Sequence, residues 1–187
     1  MRVMISAVMV LLGLSGGAQA LEYCDELWFL RNSVFHEAGY CFGSPLGQAV
    51  FGNESCTGKD VTISAKDKQL IADVRAAESD EACAIDTSRQ RINMSRLDLR
   101  RQLTQLPFPD IFESACLGWQ RAPLALMPAP SLAGALIGWA ENGQDLLFQY
   151  LDHDGWSFVE VTENGDTVAL GWAQFDWTED MCAAVAG

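Results

Sequence analysis

The sequence predicts an α+β protein, a small helical domain stapled by disulfides and followed by a small five-stranded β-barrel. Three observations point there. Apolar residues recur at helical spacing up to about residue 106, then in short turn-bounded segments after residue 123. Pro107 and Pro109 flank Phe108 at the changeover. Six cysteines, Cys24, Cys41, Cys56, Cys83, Cys116 and Cys182, all follow an apolar leader, which suits an oxidising compartment and three cross-links. The expected units are a signal peptide over 1–20, a helical domain over 21–111 and a barrel domain over 112–187.

The leader reads as an export signal. Arg2 supplies the positive start, residues 3–14 are apolar apart from Ser6 and Gly13, and Ala18-Gln19-Ala20 has the small-x-small form of a cleavage site. About twelve apolar residues fall short of the roughly 20 that span a bilayer. No later stretch is long and apolar enough either, so an exported chain without membrane insertion is expected. Cys24 lies four residues past Ala20, whereas lipidation needs the cysteine at the cleavage point.

In the helical zone, Leu27, Leu30, Val34, Phe35 and Ala38 share a helical face, Asp25 and Glu26 fall in the first turn, and Gly39 is placed to end the helix. A Gly/Ser/Pro-rich loop follows to Gly58. Ser64, with Asp67 three positions on, has the form of a helix cap, and the helix it opens aligns Leu70, Ile71, Val74 and Ala77 before stopping near Ser79. A third helix is expected over 87–106. Its stripe is Ile92, Leu99, Leu103 and Leu106, and it carries Arg89, Arg91, Arg96, Arg100 and Arg101 against a single Asp98. Those arginines suit either a solvated face or a surface docked on acidic groups, the C-terminal module included. Strands are expected over 124–127, 135–140, 145–151, 156–162 and 167–173, with Asn164-Gly165 as a hairpin turn between the last two. Five short strands in about 55 residues suggest a barrel rather than a sandwich.

Six cysteines allow fifteen pairings. The expected set is Cys41–Cys56 closing the loop, Cys116–Cys182 clamping the ends of the C-terminal module, and Cys24–Cys83 by elimination. Free buried thiols are the alternative.

Charge narrows the partners. The chain holds 25 acidic and 12 basic side chains; without Arg2 the exported form has 11, a formal charge of 11 − 25 = −14. Beyond Arg121 there are ten Asp or Glu and no Lys or Arg. Such a surface repels phosphate backbones and anionic lipid, so nucleic acid and membrane surfaces are poor partners.

Two resemblances add to these readings. Leu27-Trp28-Phe29 and Arg31-Asn32, then Phe42, Ser44, Pro45, Gln48 and Phe51, match the aromatic-rich helix and F-x-S-P-x-x-Q-x-x-F loop of the YARHG family of bacterial extracellular domains. The namesake pentapeptide aligns with Phe35-His36-Glu37-Ala38-Gly39, identical at the glycine. The capped helix over 64–79 also fits. About 55 residues are covered, and the resemblance implies a cell-envelope role. The C-terminal region, about 121–177, resembles bacterial SH3-like domains. Met127-Pro128-Ala129-Pro130-Ser131 stands at their proline turn, Leu136-Ile137-Gly138 at the next strand, Trp156 at the tryptophan strand and Gly171-Trp172 at the closing strand. It implies a barrel that binds a protein or peptidoglycan ligand, in a periplasmic or secreted bacterial protein.

Catalytic and metal constellations do not emerge. After His36-Glu37, a zinc-protease motif would need a second histidine where Tyr40 stands. Asp152-His153-Asp154-Gly155 lacks the remaining spaced ligands of a calcium loop and reads as a tight turn. No nucleophile elbow accompanies His36 or His153. Paired carboxylates can be drawn anywhere among 25 acids and so select nothing. Asn53-Glu54-Ser55 and Asn93-Met94-Ser95 match glycan sequons by chance in a bacterial protein. No metal, cofactor or enzymatic activity is expected.

Aromatic residues are the better lead. Trp139, Trp156, Trp172 and Trp177, with Tyr150 and Phe158, are dense for a small module, and one or two left on a groove would stack on a sugar or peptide. Trp156, Trp177 and Tyr150 are the expected ligand contacts. The functional expectation is a non-catalytic envelope module binding a protein or peptidoglycan. Its alternatives are a structural protein acting through the helical domain and a cell-wall hydrolase using carboxylates. Oligomeric state is open.

Overall fold

The helical stripe of the first segment does form a helix, and the stripe sets its neighbours. A computed structural model describes residues 16–187, with side chains from residue 22 and excepting that of Glu179; the apolar run of the expected signal peptide lies outside the described residues. Helix α1 spans Gly16–Glu37, α2 Pro45–Phe51 and α3 Ala65–Asp80. Leu27 and Leu30 of α1 bury against Val74 of α3, while Trp28 and Phe29 pack on Leu46 and Val50 of α2. Gly39 ends the first helix at φ +85°, and a β-carbon there would lie 2.7 Å from the Thr57 hydroxyl. Ser44 caps α2 and Ser64 caps α3, each accepting a hydrogen bond from the backbone N–H three residues on.

The disulfides are Cys24–Cys83, Cys41–Cys56 and Cys116–Cys182, the set expected from the sequence, and no described cysteine is free.

The expected helix over 87–106 is not formed. Only α4, Leu97–Arg100, is helical, and Arg96 before it takes a left-handed conformation at φ +46°. The apolar residues of this segment do not share one face. Ile92, Met94, Leu97 and Leu106 pack on the Trp28/Phe29 cluster, whereas Leu99 and Leu103 pack against Phe158 and Trp172. A segment divided between two cores runs as an irregular strap.

Seven strands follow: β1 Pro109–Trp119, β2 Leu124–Leu126, β3 Gly138–Ala140, β4 Asp145–Tyr150, β5 Ser157–Glu163, β6 Asp166–Ala173 and β7 Cys182–Ala186. Five make an antiparallel sheet in the order β6-β5-β4-β1-β7, and β2 pairs with β3 as a separate ribbon. The ribbon meets the sheet through hydrogen bonds exchanged by Met127 and Trp172. The expected barrel is thus corrected to an open sheet, because β6 and β7 are edges and do not pair with each other. Strands β1 and β7 had not been expected, and β1 runs through the expected boundary at residue 112.

Alternation along β5 explains the layers. Val159 and Val161 face a core with Trp119, Leu126, Ala140 and Leu146, on the ribbon side. Phe158 and Glu160 face the other way, towards Leu99, Leu103 and the strap. The sheet is therefore layered between the ribbon and the helical part. Asn164 and Gly165, at φ +53° and +85°, form the expected β5–β6 turn.

Candidate functional site

Where helices, strap and sheet meet, four polar side chains converge out of contact with bulk water. Glu26 comes from α1, Arg100 from α4, Tyr150 from β4 and Glu160 from β5, and all four are buried. The Arg100 Nη2 group donates to Glu26 Oε1 at 2.8 Å, to the Tyr150 hydroxyl at 2.7 Å, and to Glu160 Oε1. The Tyr150 hydroxyl lies 2.7 Å from Glu26 Oε1 and 2.8 Å from Glu160 Oε1. Beside it, the buried Asp25 carboxylate accepts from Arg89 and from the Asn93 backbone N–H. Two of the strap's arginines, Arg89 and Arg100, therefore dock on acids of α1 and the sheet, while Arg91 and Arg101 stay exposed.

Burial sets the electrostatics. It pushes the Glu26 carboxyl up to about 7; Arg100 and the Tyr150 hydrogen bond oppose the rise, while Glu160 and Glu22 add to it. Burial, then the neighbouring Glu26, raises the Tyr150 phenol well above its ordinary value. For Arg100, burial favours the neutral form, but Glu26, Tyr150 and Glu160 outweigh it and hold the guanidinium above the ordinary arginine range.

A groove opens next to this cluster. It has a volume of about 390 Å³ and lies between Tyr23 and Cys24 in the first half of α1, the residue after α3 and the first half of β1. Tyr23, Ile111 and Phe112 give it apolar walls, and Glu81, Asp110 and Glu113 stand on its rim. The wall is built by a break in pairing. Pro109 opposes Tyr150 but Ser114 opposes Phe148, so β1 carries extra residues that bulge out of the sheet. Ile111 and Phe112 sit on that bulge at 58% and 75% exposure. Burial and the nearby Glu81, Asp110 and Asp80 raise the Tyr23 phenol above its usual value. A smaller cavity of about 40 Å³, bordered by Glu22, Tyr23, Glu26, Asp110, Glu113 and Gln149, lies between groove and cluster.

Comparison with known protein families falls on both sides of this junction. Residues 12–79 match the YARHG domain, which is extracellular. Residues 82–187, more than half of the chain, match a domain of unknown function, DUF4453. The chain belongs to the DUF4453 family. No curated protein and no solved structure matches it. The DUF4453 match takes in the strap as well as the sheet, and an SH3-like module is not shown by that match. Glu26 thus comes from the region that matches YARHG, while Arg100, Tyr150 and Glu160 come from the DUF4453 region. Cys24–Cys83 links the two matched regions covalently. Three disulfides and an extracellular domain fit a secreted or periplasmic protein. Among the described residues, no helix is long and apolar enough to cross a membrane.

The three residues expected to touch ligand fall in different places. Trp156 and Tyr150 are each only 7% exposed and belong to the DUF4453 core with Phe158 and Trp172, so neither offers a face for stacking. Trp177 is 46% exposed, with its ring edge-on to Phe148 at 5.9 Å and near Phe175 at 6.3 Å. Trp139 is similarly exposed on β3. Asp152-His153-Asp154-Gly155 is a tight turn closed by backbone hydrogen bonds between His153 and Trp156. Among the described residues, no group of three metal-ligating side chains comes together. Glu26 and Glu160 are a close carboxylate pair, but Arg100 and Tyr150 occupy their facing oxygens. The neighbouring cavity of about 40 Å³ has room for water.

The sequence reading missed the Ile111/Phe112 wall. A usable signal was present, two large apolar residues between Asp110 and Glu113 just after a double proline, where helix and strand patterns both fail.

Proposed function

We propose that this DUF4453 protein is an exported, non-catalytic envelope module that binds a protein partner in the groove between its two domains. The observation that carries this reading is the exposure of Ile111 and Phe112 on the β1 bulge, beside a groove of about 390 Å³. Large apolar side chains held out of a sheet mark contact surfaces more often than scattered single residues do. Glu81 and Asp110 beside the groove favour a partner segment that places Lys or Arg beside an apolar residue. Residues from both domains wall the groove, so the ligand surface exists only while the domains are docked. The acidic balance argues against nucleic acid and anionic lipid as partners. Site-specific photo-crosslinking tests the reading: a crosslinker at residue 112, with one at Val168 on the β6 edge as control, in cells exporting the protein. A discrete adduct from position 112 that disappears with Ile111→Asp is expected. Equal adducts from both positions, or none from 112, would refute the groove.

A second reading rests on Trp177. An exposed indole braced by Phe148 and Phe175 is a platform of the kind that stacks on sugar rings, which suits a peptidoglycan ligand. Co-sedimentation with purified sacculi, lost in Trp177→Ala and kept in Phe112→Ser, would favour it over the groove.

A further inference from the structure

The junction cluster holds more contacts than its evident hydrogens can fill. Arg100 Nη2 carries two hydrogens and the Tyr150 hydroxyl one, three in all. Five donor–acceptor contacts join them, four to Glu26 Oε1 and Glu160 Oε1 and one between Arg100 and Tyr150. If both carboxyls are ionised, two negative charges and one positive charge share a buried site, leaving an uncompensated anion. One added hydrogen on a carboxyl makes the group neutral and fills a fourth contact.

We infer that a proton held on Glu26 latches the YARHG-like helix onto the DUF4453 sheet, so that the junction closes in acid and loosens as the medium turns alkaline. Each surrounding element bears on this latch. On α1, Glu22 lies one turn before Glu26 and adds negative charge, while Asp25 is engaged by Arg89 and the Asn93 N–H. From the strap, Arg100 is the cation at the centre, and Arg96 bonds the Thr167 carbonyl on β6. The Thr167 hydroxyl approaches the other oxygen of Glu160 at 3.5 Å. On β1, Asp110 and Glu113 border the small cavity that Glu26 also lines, and Tyr23 of α1 lines it too. Burial raises Glu26 from 4.5 to about 7, which places its proton within the span of ordinary media. A carboxyl raised on folding stabilises the closed state fully below its ordinary value. That stabilisation is lost as pH rises through about 7.

The test is thermal unfolding of the oxidised chain from pH 4.5 to 8.5, paired with hydrogen exchange of the strap. In the wild type the midpoint should fall across pH 5–8, and protection over 95–106, taken relative to the base-catalysed intrinsic rate, should drop. The shift from 4.5 to about 7 corresponds to a change in the closing equilibrium on the order of a hundredfold. Glu26→Gln keeps the shape and a donor but cannot ionise, so its profile should be nearly flat and it should exceed the wild type above pH 8. A residual drift from Glu22 and Glu37, both also raised by burial, would be common to the two proteins. A wild-type profile that is flat, or a Glu26→Gln profile that tracks the wild type, overturns the inference. Should Glu26→Gln fail to fold, a carboxyl ¹³C titration of the wild type decides. One glutamate titrating near 7 supports the latch, and all of them titrating below about 5 refutes it.

Discussion

Arg100→Met is the sharpest perturbation of the domain junction. Methionine keeps most of the aliphatic stem and removes the charge that holds Glu26, Tyr150 and Glu160 together. Arg100 is only 3% exposed, so solvent cannot replace the lost partner. Deleting one member of a buried ionic group costs roughly 3–5 kcal/mol, since the others remain desolvated. With a urea slope of about 2 kcal/mol per molar, the unfolding midpoint should drop by about 2 M. Against a typical total of about 5–15 kcal/mol, that brings the variant close to the limit of folding. The loss should be larger at pH 8 than at pH 4.5, because in acid the Glu26 carboxyl can be neutral without its cation. Adding Glu26→Gln and Glu160→Gln removes the stranded charges and should recover most of the midpoint. A drop below about 0.5 M for Arg100→Met, or no recovery in the triple variant, would show that the cluster is hydrated and carries little of the docking energy.

Two other outcomes can be checked with the same urea titrations. Replacing both Cys116 and Cys182 with alanine opens a loop whose ends are 66 residues apart. It should cost about 4 kcal/mol by chain entropy, with hydrogen exchange localising the fraying to β7. Ser64→Ala removes the side-chain cap from the Asp67 N–H and should cost about 1 kcal/mol, rescued by Ser64→Asp.

What the sequence made legible was local. The Ser64 cap and the Asn164-Gly165 turn are written within four residues and form as expected. Gly39 ends its helix for the same reason. The strap defeated the periodicity reading because one apparent stripe serves two cores: Ile92 and Leu106 turn to Trp28 and Phe29, Leu99 and Leu103 to Trp172. Strand β1 was hidden because its exposed residues include Ile111 and Phe112, so apolar side chains do not mark the buried face. Strand β7 is too small-sided to signal anything. Trp156 and Tyr150 stand out because aromatics are dense for so small a module, but they are core in a sheet covered on both faces. The cluster itself joins residues as far apart as Glu26 and Tyr150, 124 positions, and no window sees such a pairing.

The arginines of the strap show how these misreadings are connected. On a free helix, Arg89, Arg96, Arg100 and Arg101 would be solvated and interchangeable. Here each has its own acceptor: Asp25, the Thr167 carbonyl, the Glu26–Glu160 pair and the Val50 carbonyl. Those acceptors lie on α1, α2, β5 and β6, so the strap is held by side-chain bonds to both domains in place of a regular backbone ladder. A helix would satisfy its own backbone and project its arginines along one side, out of reach of at least some of these partners. The irregular path is therefore what lets one segment staple the N-terminal helices to the DUF4453 sheet. Weakening any single staple should loosen the junction before it unfolds either domain.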